Sequence, residues 1–131
     1  MFIMAMVAML APMGCSLGGD EEPQPVSGVP KEIAATVEQL ERAVATRDFA
    51  EVCDELFTKA ARQRSGGADC AKQLGVAAEG VRRPRIEVGG ITVDGDKAVV
   101  TVVTRAEGQA RVSDELRLRR EGGRWRVESL G

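Results

Sequence analysis

Asp114 is the acidic residue with the most chemical promise, because it interrupts an apolar strand face, flanked at spacing two by Val112 and Leu116. A carboxylate surrounded by apolar groups resists ionisation, and its raised pKa would suit it to act as a base. The same position, near the start of a strand, also suits a rim carboxylate that is solvated or paired with an arginine such as Arg105. Trp125, alternating with Arg124 and Arg126, presents an indole that would either stack on a ligand or pack on the helices. The chain has no histidine, no tyrosine and three cysteines, Cys15, Cys53 and Cys70. Without histidine, two or three thiols do not complete a zinc shell, so no metal is expected. No phosphate-binding glycine loop or nucleophile–base constellation appears, and no cofactor is expected. Catalysis would therefore rest on Asp114 alone, and binding is the expected role.

Cys15 stands between the uncharged, apolar MFIMAMVAMLAPMG and a polar stretch containing Gly18, Gly19, Pro23, Pro25 and Gly28. The apolar run is too short to cross a bilayer, which takes about 20 residues, but it has the length of a signal-peptide core. Small residues lead into Cys15. This segment resembles a bacterial lipoprotein signal, with residues 1–14 removed, Cys15 carrying lipid, and residues 15–29 forming a flexible leash. The resemblance implies an exported domain held by its anchor on the extracytoplasmic face of the cell membrane. With Cys15 lipidated, Cys53 and Cys70 remain as an even pair. An oxidising compartment allows them to form a disulfide; two free buried thiols are the alternative.

The elements that must position these residues change character halfway. Ile33, Val37, Leu40 and Val44 form an apolar stripe at helical spacing after Pro30, a residue suited to a first helical turn. Asp48 and Glu51 fit a capping box for a short second helix carrying Phe49, Val52, Leu56 and Phe57. Thr58 caps a third, ending at Gly66-Gly67. Asp69 caps a fourth, on which Cys70, Leu74 and Ala77 share a face. From Arg85 the period becomes two. Ile86 and Val88 alternate, then Ile91 and Val93 alternate out of phase across Gly89-Gly90, which predicts a β-bulge. Turns at Asp94-Gly95, Glu107-Gly108 and Glu121-Gly122-Gly123 divide the remainder into strands beginning at Lys97, Arg111 and Arg124. The third strand separates Val112, Leu116 and Leu118 from a charged face, and the fourth separates Trp125 and Val127 likewise. The apolar AVVTVV strand suits the sheet interior. The expected fold class is α+β: N-terminal helices packed on one face of a curved, four-stranded antiparallel meander.

Helices followed by a bulged sheet that ends in GGRWRVESL resemble the nuclear transport factor 2-like superfamily, the cone-shaped fold also used by ketosteroid isomerase. The resemblance covers residues 30–131. It implies a pocket between the concave sheet and the helices, for which Val37, Leu40, Val112, Asp114, Leu116 and Trp125 are the candidates. Catalytic members place an acid in that pocket, often with Tyr or His, and this chain has neither. A non-catalytic domain binding an apolar small molecule or an envelope protein is therefore the leading expectation. The alternatives are an isomerase- or dehydratase-like enzyme using Asp114, and a structural interaction module.

Charge narrows the partners further. Eighteen basic against twenty acidic residues argue against nucleic acid. The distribution is uneven: residues 20–56 carry 10 acidic and 3 basic side chains, net −7, and residues 57–86 carry 7 basic and 2 acidic, net +5. Oppositely charged helix faces in solvent or a steering patch for a charged partner both fit this pattern. Arg82, Arg83 and Arg85 are either a solvated entry to the first strand or a contact for anionic head groups.

Overall fold

The structure is a computed structural model that describes residues 28–131. The expected signal segment, Cys15 and most of the expected leash lie outside the described residues. Helix α1 spans Val29–Ala45, with Pro30 in its first turn. Its stripe divides in two. Ile33 and Val37 are fully buried, whereas Leu40 and Val44 are half-buried.

After α1 the chain breaks into short pieces: α2 (Phe49–Glu51), a π-helical turn (Val52–Leu56), α3 (Lys59–Arg64), a 3-10 turn (Gly67–Asp69) and α4 (Cys70–Ala77). Asp48 Oδ1 accepts from the Glu51 amide at 3.2 Å, as the capping box requires. The return half of the box is absent, because the Asp48 amide donates to Ala43 O at 2.8 Å; Glu51 Oε1 accepts from Gln39 Nε2 at 2.8 Å and so ties α2 to α1. Thr58 Oγ1 accepts from the Ala61 amide at 3.0 Å and caps α3 as expected. Asp69 does not cap α4 with its side chain; the 3-10 turn fills that place, with the Asp69 amide donating to Gly66 O at 3.0 Å.

The four strands are β1 (Arg85–Asp94), β2 (Lys97–Arg105), β3 (Val112–Glu121) and β4 (Arg124–Leu130). They pair antiparallel in the order β1-β2-β3-β4, so the apolar β2 is interior. The β1–β2 register shifts between Val88 and Ile91. That bulge returns Ile86, Val88, Ile91 and Val93 to one face, opposite Thr104, Val102, Val100 and Ala98 in turn. A second shift leaves Glu128 of β4 without a partner on β3, since Arg117 faces Ser129 and Leu118 faces Val127. The two bulges curve the sheet around the helices.

Two clusters fill the concave side. One joins Ile33 and Val37 to Ala98, Val100, Leu118 and Trp125; the other joins Ala43 to Phe49, Val52 and Leu56. Leu40 and Phe57 touch both. Phe57 and Thr58 run beside β4, where the Thr58 amide donates to Val127 O at 2.9 Å, and this contact closes the helical layer onto the sheet edge. Cys53 and Cys70 form the expected disulfide, with a Cα separation of 6.1 Å, joining the π-helical turn to α4.

Candidate functional site

Between the two clusters lies a cavity of about 560 Å³. Its floor is sheet: Ile86, Val102, Leu116 and Val127, one from each strand. Leu40 and Val44 of α1 supply one wall, with Phe49 and Phe57 beside them. Leu74, Ala77 and Ala78 of α4 supply the other. These side chains are there because the sheet curves away from a helix whose stripe is straight. The first half of α1 buries Ile33 and Val37 against the sheet; in its second half Leu40 and Val44 line the cavity, while Glu41 Oε2 still reaches β1 by accepting from the Ile86 amide at 2.6 Å.

Helix α4 buries little of itself, and three devices hold it. The disulfide fixes its first residue. The Phe49 ring packs on the helix at Gly75, where even a Cβ would meet the ring at an ordinary contact distance of 3.7 Å. Arg47 donates to the carbonyls of Gly75 at 3.0 Å and Ala78 at 3.2 Å, at the helix's negative end. The same guanidinium stands 5.1 Å from the Phe49 ring centroid.

The polar lining consists of Arg64, Ser65, Thr104, Glu128 and Ser129. Arg64 ends α3, and its Nη2 donates to the Glu128 carbonyl. The β4 bulge makes that carbonyl available. The Glu128 carboxylate turns to Arg119 on the other side of the sheet, at 3.8 Å.

The sequence-derived candidates separate into three groups. Leu40 and Leu116 line the cavity. Val37 and Trp125 belong to the closed cluster, and Trp125 also borders a separate polar crevice of about 220 Å³ with Glu32, Glu55 and Arg124. Val112 is 48% exposed beyond the cavity. Asp114 is half-buried and pairs with Val102 across the sheet, so it shares the inward face with Leu116, yet it borders a shallow depression with Gly89, Thr101 and Gly131 and is not among the cavity lining. Arg105, its expected partner, pairs with Glu87 at 3.2 Å. The structure therefore does not bring Asp114 and Trp125 together. Among the described residues, no group of three or more potential metal ligands is assembled, and no helix is long and apolar enough to cross a membrane. Sequence reasoning did not single out Val102, Phe49, Leu74 or Arg64 as site residues. Their only signal was an inward apolar face, or, for Arg64, its place before a glycine stop.

This α+β cone with its internal hollow is the nuclear transport factor 2-like fold. A nuclear transport factor 2-like protein of unknown function from Silicibacter pomeroyi superposes with a TM-score of 0.55 at 20% identity, covering 76% of this chain and 90% of that one. A de novo designed protein of the same fold gives 0.56 at 18% identity, covering 79% and 87%. A putative nuclear transport factor 2-like transpeptidase from Campylobacter jejuni gives 0.50 at 14%, covering 78% and 99%. No family model matches the sequence, and no curated protein does. At these identities the likeness is one of fold.

Proposed function

We propose that the chain is an exported, lipid-anchored binding protein whose cone cavity holds a small apolar molecule without transforming it. The observation that carries this reading is the cavity itself. Its volume of about 560 Å³ falls within the range of small-molecule sites, and its walls are apolar with a few polar groups. Asp114 is not among the lining residues, which speaks against a carboxylate base acting on a molecule held there. The Cys53–Cys70 disulfide fits an oxidising compartment. In this reading Cys15 supplies the anchor, and residues 16–29 the leash on which the domain reaches its ligand.

The test is fluorescence titration of the full chain with N-phenyl-1-naphthylamine, a neutral apolar probe. Saturable enhancement is expected, and Val102→Phe, which fills the floor, is expected to abolish it. Enhancement that survives Val102→Phe at full strength places the probe elsewhere and removes the reading. For the anchor, Cys15→Ser is expected to move the protein from the membrane fraction to the soluble one.

A further inference from the structure

We infer that the cavity takes a single-chain amphiphile with an anionic head, its tail in the apolar hollow and its head on the Arg64 guanidinium. The inference rests on the cavity being a binding site and adds the chemistry of what enters. Three observations carry it. First, polarity is uneven around the lining: Leu40, Phe49, Val102 and Leu74 offer a tail no hydrogen bond, Thr104 Oγ1 already donates to Val112 O at 3.4 Å, and Arg64, Ser65 and Ser129 offer donors. An apolar body with one polar end matches that division; a uniformly apolar or uniformly polar molecule does not.

Second, Arg64 is exposed and, among the described residues, forms no ion pair, unlike its neighbour Arg62, which pairs with Asp54 at 3.3 Å. Its recorded bond goes to a neutral carbonyl, that of Glu128. A guanidinium has five donors, so this bond leaves most of the fork free for a carboxylate or phosphate. The other charged residue of the lining, Glu128, directs its carboxylate to Arg119. A cationic head would meet Arg64 without a facing counter-charge.

Third, the charge asymmetry of the sequence maps onto this site. Residues 57–86, net +5, include α3 and α4 and end at Ile86 on the cavity floor. Arg82, Arg83 and Arg85 lie between the lining residues Val81 and Ile86. Arg83 is engaged by Glu107 at 3.4 Å, and Arg82 and Arg85 are exposed. The Glu41 carboxylate, which accepts from the Ile86 amide at 2.6 Å, offsets part of this charge, and the positive excess that remains raises the local concentration of an anionic ligand.

Calorimetric titration of the full chain, below micelle concentrations, with dodecanoate, dodecyl phosphate, dodecanol and dodecyltrimethylammonium tests this. The tails are identical, so differences report the head. Dodecanoate or dodecyl phosphate is expected to bind about tenfold more tightly than dodecanol, as one charge-assisted contact allows. The stronger of the two distinguishes a fatty acid from a phospholipid-derived ligand. The cation is expected to bind most weakly. Arg64→Gln should bring the anion affinities down to that of dodecanol measured on the same variant; Arg64→Lys and Arg62→Gln should keep most of the preference. Equal binding of dodecanol and both anions overturns the anionic head and leaves the cavity reading standing. Failure of all four overturns the cavity reading itself. An anion preference that survives Arg64→Gln overturns the role of Arg64.

Discussion

The two halves of the cone are made of the same strands and the same helix, yet one is solid and the other hollow. On β2, Val100 and Val102 are both buried members of the same cluster, but only Val102, two residues on, also floors the cavity. On β3, Leu118 and Leu116 divide in the same way, and on α1 Val37 and Leu40 do. Each pair points to the same side, and each residue is an ordinary aliphatic. What differs is the element opposite. In the closed half Ile33 and Val37 of α1 lie on the sheet beside Trp125; across the hollow half stand Leu40 and Val44 of α1 together with Leu74 and Ala77 of α4, the latter fixed by the disulfide and by Arg47. A solid half supplies stability and a hollow half gives some of it up for a site, as preformed ligand cavities require.

The largest test of that difference removes the same side chain from both halves. Leu118→Ala opens a new void in a packed region, so both the lost transfer energy and the cavity term apply, about 4 kcal/mol by chemical denaturation. Leu116→Ala enlarges a space that already exists, so less of the cavity term applies and the loss is expected nearer 2 kcal/mol. Equal losses would mean that the hollow half is as well packed as the other. The next effect concerns the staple. Cys53→Ser with Cys70→Ser releases a 17-residue span, and a loop of that length corresponds to about 3 kcal/mol in the chain-entropy model. Because α4 is a wall of the hollow half alone, the same variant should weaken probe binding more than dilution of the folded fraction explains. A melting midpoint unchanged by reductant would refute this.

Much of the frame was legible in the sequence. The four strands, the Gly89-Gly90 bulge, α1 and the Thr58 cap follow from period and turn chemistry, which are local signals; the Cys53–Cys70 pair was reached by setting Cys15 aside as the lipid-bearing cysteine. The second bulge left a fainter trace: Val127 and Leu130 are three apart, a spacing that shares a face only if one residue is extra, here Glu128. The Asp48–Glu51 box was half right because the Asp48 amide donates to Ala43 O of α1 instead. The division into solid and hollow was not legible at all. Alternation assigns Leu116 and Leu118 to one face and cannot say that the element opposite stands away. For the same reason Val37 and Trp125 read as pocket residues, and Asp114 read as an acid among apolar neighbours although it borders a different depression.

Addition should separate the halves as deletion does, with a smaller effect. Val100→Leu adds a methylene where there is no room, and overpacking is expected to cost about 2 kcal/mol. Val102→Leu extends into the cavity and is expected to cost under about 0.5 kcal/mol, while lowering probe affinity. Both substitutions exchange a β-branched residue for the same unbranched one on the same strand, so the propensity loss cancels in the comparison. The reverse order of stabilities would show that the cavity lies nearer Val100.

The smallest effect bears on why the sheet curves enough to leave a hollow. At the β1 bulge, a Cβ on Gly89 would lie 2.6 Å from Thr101 Oγ1 and 3.3 Å from its carbonyl, while one on Gly90 would meet Oγ1 at 3.6 Å. Thr101 Oγ1 is not free to swing away, since it accepts from the Gly90 amide at 2.6 Å. Gly89→Ala must therefore either break that bond or move β1 off β2, at about 1 kcal/mol, the net worth of one hydrogen bond. Gly90→Ala meets ordinary van der Waals contact and should fall within about 0.5 kcal/mol of the parent. If curvature sets the cavity, Gly89→Ala should also change probe affinity while Gly90→Ala leaves it alone. A Gly89→Ala variant that loses stability yet binds the probe as before would place the origin of the hollow in α4 and its staple rather than in the bend of β1.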